Sequence, residues 1–544
     1  MRFFCKHSSV FILLYLWIGV IAALPGQAQP VISIRTSDTE DPKHLTKDRN
    51  TEKVIRDVLL QYIRDGYPFA TFDTISAHQD TMVLALYKGT RFDWKFKEPW
   101  TLRTFDRYLN ELGNEGYPFA AVTFDSLQIF GDEIQVIPRL VTGPKIVFDT
   151  LSNSGSQKLS VKYLHALLGF RPGDLYQEKK YQAISERLAF QSLVQLSEPP
   201  DVGFSNGKAI VYLKTREFKS DQVEGIFGFL PKAGGGSTVT GYLKLDLNNL
   251  FQSGKTLFLD WNRFSPESQS LDLRYGHSFL LGSRISVGLD LSILRQDSLF
   301  TKRRFGLDLQ VPVSASVQLG LRLHTAASGI QANEPEISNG LDYRLTEYRP
   351  FIQIGTTREI IDFGRFAGLK ISAGLADKKF RRNSLFPEAV YDTLKFRTTN
   401  LQIDFMAQAQ RPVTKRGVVY SKVGFGLLEG DQIVRNEFYR IGGLRSLRGF
   451  NENDFFASGF AKWQIEYRQY FAQQSYLMAF YDLALLDQFD SNFNKAMWLN
   501  AFGGGMALDT GNGNFRLIFA LGSSEETPLD IRNTKIHFGY SISF

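Results

Sequence analysis

Ile285-Ser286-Val287-Gly288-Leu289-Asp290-Leu291-Ser292-Ile293 places an apolar side chain at every second position, with a small or polar one between. An extended chain sends alternate residues to opposite faces, so this stretch reads as a strand with one apolar and one polar face. Leu243, Leu245 and Leu247 interleave likewise with Lys244 and Asp246, and Leu257, Leu259 and Trp261 with Asp260 and Asn262. Val317, Leu319, Leu321 and Leu323 alternate with Gln318, Gly320, Arg322 and His324. About 16 such segments fall between Asp221 and Phe544, each near or above the roughly 9–11 residues that a tilted membrane strand needs. Many are joined by short turns such as Asp509-Thr510-Gly511-Asn512-Gly513-Asn514. A water-soluble sandwich also alternates, but its strands are usually shorter. Length and repetition therefore favour a membrane β-barrel of about 16 antiparallel strands over residues 219–544.

The average over the chain hides this pattern, because outward apolar and inward polar residues cancel in a sliding window. The aromatic share of 14%, with 46 Phe and 22 Tyr, suits girdles at the membrane interfaces. Residues 1–28 carry Arg2 and Lys6, an apolar run from Val10 to Leu24, and then Gly26-Gln27-Ala28, the order of a secretory signal peptide. The run is shorter than the roughly 20 residues of a membrane-spanning helix. Its removal takes Cys5, the single cysteine, so disulfides, thiolate metal ligands and cysteine nucleophiles are excluded from the exported chain. Loss of Arg2 and Lys6 lowers the formal charge from +7 to +5, too weak a balance to argue for nucleic acid.

Ahead of the barrel, Gly66-Tyr67-Pro68-Phe69-Ala70 recurs 50 residues later as Gly116-Tyr117-Pro118-Phe119-Ala120. Upstream of the first copy Val54, Ile55, Val58, Leu59, Tyr62 and Ile63 fall at helical spacing, and upstream of the second Phe105, Tyr108, Leu109 and Leu112 do the same. Glycine stops each helix and proline forbids its continuation. Strands follow, such as Met82 to Tyr87 and Glu133 to Leu140. A third, diverged unit has helices at Val161 to Leu168 and Tyr181 to Leu193, and closes with a strand from Ala209 to Leu213. The expected division is a signal peptide over 1–28, small α+β modules over 29–92, 93–142 and 143–218, and the barrel over 219–544. Small repeated units with open strand edges suit an array that docks extended chains.

Between the eleventh and twelfth expected strands lies a long segment, about Glu429 to Ser458, containing Ile441-Gly442-Gly443-Leu444-Arg445-Ser446-Leu447-Arg448-Gly449-Phe450. It resembles the inward-folded sixth loop of the outer-membrane protein assembly (bacterial surface antigen) superfamily, whose barrels carry an Arg-Gly-Phe/Tyr tip after a Gly-Gly turn. That superfamily places polypeptide-transport-associated (POTRA) modules ahead of a 16-stranded barrel, so the resemblance covers nearly the whole exported chain. The final strand, with Ile536, Phe538, Tyr540, Ile542 and Phe544 on one face, resembles the signal by which such barrels are recognised for assembly. Three modules resemble most the outer-membrane subunit of the translocation-and-assembly module.

The resemblance implies that Arg448 enters the lumen and meets Glu466 and Asp482 on the next two strands, with Gly449 allowing close approach and Phe450 packing on an aromatic neighbour. A cation inside a barrel is costly unless paired and hydrogen-bonded. Gly442 and Gly443 form the loop's turn. Gly225 and Gly228 in the first strand, with Gly539 and Phe544 in the last, point to a weakly paired lateral seam, because glycine loosens strand pairing. No catalytic residue, metal ligand set or cofactor motif stands out, and Gly234-Gly235-Gly236 reads as a hairpin turn. The expected role is non-enzymatic: insertion or export of outer-membrane or secreted polypeptides by strand addition. A periplasmic or inner-membrane accessory protein and outer-membrane lipid are further expected partners, nucleic acid is not. The alternatives are a two-partner-type secretion pore, a lipid-handling barrel, and a barrel lipase using His277, His324 or His537, none of which sits in a recognisable triad pattern.

Overall fold

The computed structural model describes residues 31–36, 39–46, 51–78, 81–96, 101–155, 159–189, 194–217, 221–231, 237–263, 265, 267–297, 299–331, 340–356, 364–472, 474–490, 493–510, 513–525 and 527–543. The signal-peptide region, the Gly234-Gly235-Gly236 triplet and Phe544 lie outside them.

The N-terminal part begins with β1 (Val31–Thr36), β2 (Thr39–Thr46), α1 (Thr51–Arg64), β3 (Thr71–His78) and β4 (Thr81–Tyr87), whose sheet order is β2-β1-β4-β3. The polar stretch from 29 to 50 was not read as strands from sequence, yet β1 lies parallel to β4 within this sheet. Next come β5 (Asp93–Phe96), α2 (Leu102–Asn114), β6 (Ala121–Phe130) and β7 (Glu133–Val141), in the order β5-β7-β6. The unit nearest the barrel contains β8 (Val147–Asn153), α3 (Val161–Leu168), α4 (Glu178–Gln182), α5 (Ile184–Ala189), β9 (Val194–Leu196), β10 (Asp201–Ser205), β11 (Lys208–Leu213) and β12 (Thr215–Glu217). The helix expected from Tyr181 onward is two short helices, α4 and α5, meeting at Ala183. Ile184 and Leu188 are thereby fully buried beside Leu164, Leu168 and Phe148.

The repeated pentapeptide has a shared backbone role. Gly66 and Gly116 adopt φ of +99° and +100°, in the left-handed region that favours glycine. Their carbonyls accept hydrogen bonds from Phe92 N at 2.6 Å and Ile146 N at 2.7 Å, each at the start of the following unit's first strand. Each motif thus ends one helix and pins the next unit.

Sixteen strands close the barrel in sequence order: β13 (Gln222–Pro231), β14 (Ser237–Leu250), β15 (Lys255–Arg263), β16 (Gln269–His277), β17 (Ser286–Gln296), β18 (Phe300–Pro312), β19 (Val317–Ile330), β20 (Tyr343–Gly355), β21 (Phe366–Phe380), β22 (Arg397–Pro412), β23 (Gly417–Glu429), β26 (Gly459–Ala472), β27 (Ser475–Asp490), β28 (Phe493–Asp509), β29 (Asn514–Ser524) and β30 (Lys535–Ser543). Between β23 and β26 the chain makes a small hairpin, β24 (Tyr439–Ile441) with β25 (Phe455–Ala457). Closure satisfies backbone groups that lipid cannot along the wall, the β13–β30 join being paired over three residues. Outward residues such as Leu289, Phe305, Leu319, Leu375, Trp498 and Phe519 are exposed. In water so broad an apolar belt would drive association; against acyl chains it is matched. No helix among the described residues is long and apolar enough to cross a membrane.

Candidate functional site

The site is built where the β23–β26 segment enters the barrel. Lumen-facing residues of neighbouring strands fall into cross-strand rows. One row runs Gln464, Asp482, Ala501, Gly522 across β26 to β29, and the next runs Glu466, Phe480, Gly503, Ala520. Small residues over β28 and β29 leave a groove beside two acids on β26 and β27.

The loop tip occupies that groove. Gly442, Gly443 and Gly449 have φ of +126°, +93° and +83°. A Cβ on Gly449 would lie 2.6 Å from Gly522 N, and one on Gly522 would lie 2.6 Å from Gly449 O, so the two backbones meet where neither tolerates a side chain. Arg448, 3% exposed, projects from this contact. Its Nε and Nη2 donate to Asp482 at 2.8 and 2.5 Å, and its Nη1 donates to Glu466 at 2.5 Å. The backbone N of Arg448 also donates to Asp482, at 3.2 Å. The guanidinium lies 3.7 Å from the centroid of the Phe480 ring. Phe450 meets Phe455 edge-on at 5.1 Å and belongs to a buried cluster with Ile441, Leu447, Ala457, Leu486 and Leu499.

Arg448, Gly449, Phe450, Glu466, Asp482, Gly442 and Gly443, all singled out from sequence, thus come together. Three participants were missed. Arg468 donates to Glu466 at 2.9 and 2.6 Å and gives the cluster two cations for two carboxylates. Its signal was available: two residues beyond Glu466 on a strand is the same face. Phe480 and Gly522 carry no such signal, since their importance lies in what the loop brings to them.

The loop is held elsewhere around the lumen as well. Tyr439 Oη donates to Asp404 on β22 at 2.9 Å, Asn436 Nδ2 donates to Ser328 Oγ on β19 at 2.9 Å, and Lys378 on β21 pairs with Glu437 at 2.5 Å. Arg445 pairs with Asp260 on β15, and Arg440 donates to Gln296 on β17. The segment therefore spans the lumen from wall to wall.

The seam residues are placed differently. β13 pairs with β30 through Gln222–Ser543, Val223–Ile542 and Glu224–Ser541 alone, whereas its register with β14 runs through all ten residues from Gln222 to Pro231. Gly225 is the first residue of β13 past the pairing, and Gly228 lies farther along the stretch paired only to β14. Opposite, Gly539 is covered by side chains: an added Cβ would be 3.2 Å from Glu224 Oε1 and 3.3 Å from Tyr242 Oη, which themselves share a 2.8 Å hydrogen bond. Seam pairing is thus confined to the barrel end that carries the N-terminal units.

At that end the third unit is docked on the turns between strands. Ser160 N donates to Gln252 O at 2.8 Å, Arg171 Nη2 donates to Gly282 O at 2.7 Å, and Tyr163 packs on Phe279 at 5.5 Å. A Cβ on Gly254, which has φ +66°, would sit 2.1 Å from the Tyr163 ring.

Among solved structures, CdiB from Escherichia coli superposes with a TM-score of 0.53 at 13% identity, covering 92% of this chain and 100% of that one. CdiB from Acinetobacter baumannii gives 0.53 at 13% identity, covering 99% and 98%. This chain shares the fold of these CdiB barrels. No family model and no curated protein matches the sequence. BamA from Haemophilus ducreyi lacking POTRA domains 1–3 superposes at 0.42 with 12% identity, over 83% of this chain and 98% of that one. A closed barrel with an exposed apolar belt is the architecture of a membrane-spanning barrel.

Proposed function

We propose that this protein inserts or exports client polypeptides at the outer membrane, engaging them as added strands at the edges of three POTRA modules and at the β13–β30 seam. The observation that carries the reading is the three-residue pairing at the seam. Backbone groups in lipid cost several kcal/mol each when unpaired, so β13 beyond Glu224 and β30 before Ser541 offer hydrogen-bonding groups that an incoming strand satisfies by augmentation. The step is an exchange of pairing and requires no bond chemistry, so the role is non-enzymatic. The Arg448 cluster acts as a structural lock that keeps the loop in the lumen while the seam exchanges partners. An accessory protein and outer-membrane lipid complete the expected set of partners.

Cysteines at Val223 and Ile542, a directly paired couple, test this in a chain whose only native cysteine leaves with the signal peptide. With the disulfide formed, vesicle-reconstituted protein should lose insertion of nascent outer-membrane clients and regain it on reduction. Full activity in the crosslinked state removes the seam from the mechanism.

A further inference from the structure

On the opposite side of the lumen from the Arg448 cluster, Asp290 on β17, His324 on β19 and Glu347 on β20 fall in one cross-strand row, with Gly306 on β18 between Asp290 and His324. A Cβ on Gly306 would lie 2.1 Å from Asp290 Oδ1 and 2.4 Å from His324 Cδ2. The missing side chain is what lets the acid and the imidazole converge. Asp308, two residues along β18, adds a second carboxylate, and one ligand atom from each of Asp290, Asp308 and His324 lies within 4.8 Å of the others.

We propose that Asp290, Asp308 and His324 bind a divalent transition-metal ion of the zinc class. His324 supplies the independent observation. Its side chain is 4% exposed, and neither ring nitrogen makes a well-aligned hydrogen bond. Nε2 nevertheless stands 3.0 Å from Asp290 Oδ1 and 3.7 Å from Asp308 Oδ1. Tetrahedral zinc with bonds of about 2.0–2.2 Å separates its ligand atoms by about 3.3–3.6 Å, which those two distances bracket. An imidazole with two carboxylates favours zinc and its first-row neighbours over calcium or magnesium, which take oxygen ligands.

The surroundings suit a second shell. Glu347 Oε2 lies 3.7 Å from His324 Nδ1, on the side where a carboxylate orients metal-binding imidazoles. Arg322 holds Asp308 through Nε at 3.0 Å and Nη2 at 3.1 Å, fixing it on the wall. Arg304 Nε stands 3.6 Å from Asp290 Oδ2 without a hydrogen bond, leaving Oδ1 to face the imidazole. Arg349 joins Glu347, at 2.5 Å, to Asp404, which accepts from Tyr439 of the inward loop. The ion would therefore staple β17, β18 and β19 on the wall that the loop rests against.

The test uses the untagged mature protein in detergent micelles, stripped with chelator, and titrated calorimetrically with zinc, magnesium and calcium. Zinc should bind at one ion per chain and cobalt should give the visible absorption of a low-symmetry site, while magnesium and calcium give neither binding nor competition. His324→Gln and Asp290→Asn should each weaken zinc at least tenfold, and His537→Gln should leave it unchanged. Folded barrels are scored by heat-shifted electrophoretic mobility. If His324→Gln fails that check, the cobalt spectrum of the unaltered protein decides, and its absence overturns the assignment. Zinc binding unchanged by His324→Gln overturns it equally.

Discussion

Arg448→Ala removes the central cation of the lumen cluster, and its cost follows from what each partner retains. Asp482, 0% exposed, loses the Nε and Nη2 bonds and keeps only Arg448 N at 3.2 Å and Gln464 Nε2 at 3.4 Å. Glu466 loses one bond and keeps both from Arg468. Breaking a buried pair from one side costs about 3–5 kcal/mol, and hydrogen bonds to charged groups contribute about 1.5–3 kcal/mol each. Arg448 makes two such side-chain bonds to Asp482 and one to Glu466, which is already shared. Two bonds at that value put the Arg448–Asp482 coupling in a double-mutant cycle at about 3 kcal/mol or more, and one bond puts the Arg448–Glu466 coupling at about 1.5 kcal/mol. Urea unfolding of vesicle-embedded protein, followed by tryptophan fluorescence, measures all four corners of each cycle. A larger coupling to Glu466 than to Asp482, or a loss below about 1 kcal/mol for Arg448→Ala, refutes the reasoning, because either means the guanidinium is solvated.

Gly522→Val should expel the loop tip, since even a Cβ there meets Gly449 O at 2.6 Å and the Phe450 ring at 2.9 Å; single-channel conductance should rise severalfold with the barrel still folded. Gly254→Val places branched carbon against the Tyr163 ring, so spin-label distances between α3 and the β16–β17 turn should broaden. Burial holds His165 below its ordinary value, so the folded module favours the neutral ring and its stability falls as pH drops below about 6.5. Hydrogen exchange in α3, corrected for intrinsic rates, should accelerate between about pH 7.5 and 5.5, and His165→Phe should flatten that response.

Which features the sequence disclosed depends on how local their cause is. Alternation along Ile285–Ile293 is written residue by residue, because each side chain reports its own face. The Arg448 tip was legible through the resemblance of its Gly-Gly turn and Arg-Gly-Phe run to the superfamily's inward loop, and Glu466 and Asp482 through the strands on which that resemblance places its partners. Arg468 needed only the rule of two applied once more. Gly522 acts by lacking a side chain opposite another glycine 73 positions away, which no local pattern records. Asp290, Asp308 and His324 are likewise separated by 18 and 16 residues and lie on three strands, so the spacing resembles no ligand motif until the register is known. β2 carries no apolar alternation, and in β1 the alternation is confined to Ile32, Ser33, Ile34 and Arg35, too short to stand out until its pairing with β4 is known.

On the proposed function, the seam and the loop would let one barrel be both rigid and ready to exchange partners. From β26 to β29 the wall is backed by the buried cluster around Phe450 and by two carboxylates neutralised by two arginines. None of those contacts involves a residue of β13 or β30. Loss of the three seam pairs at the end that carries the N-terminal units would leave the loop's anchors on β15, β19, β21, β22, β26 and β27 in place. The free energy of opening is then set by a few backbone pairs and the Glu224–Tyr242 cover over Gly539, and stabilising the lock should leave the rate of client insertion unchanged while destabilising the seam raises it. A lock variant that slowed insertion in proportion to its loss of stability would show that the two ends of the wall are one cooperative unit.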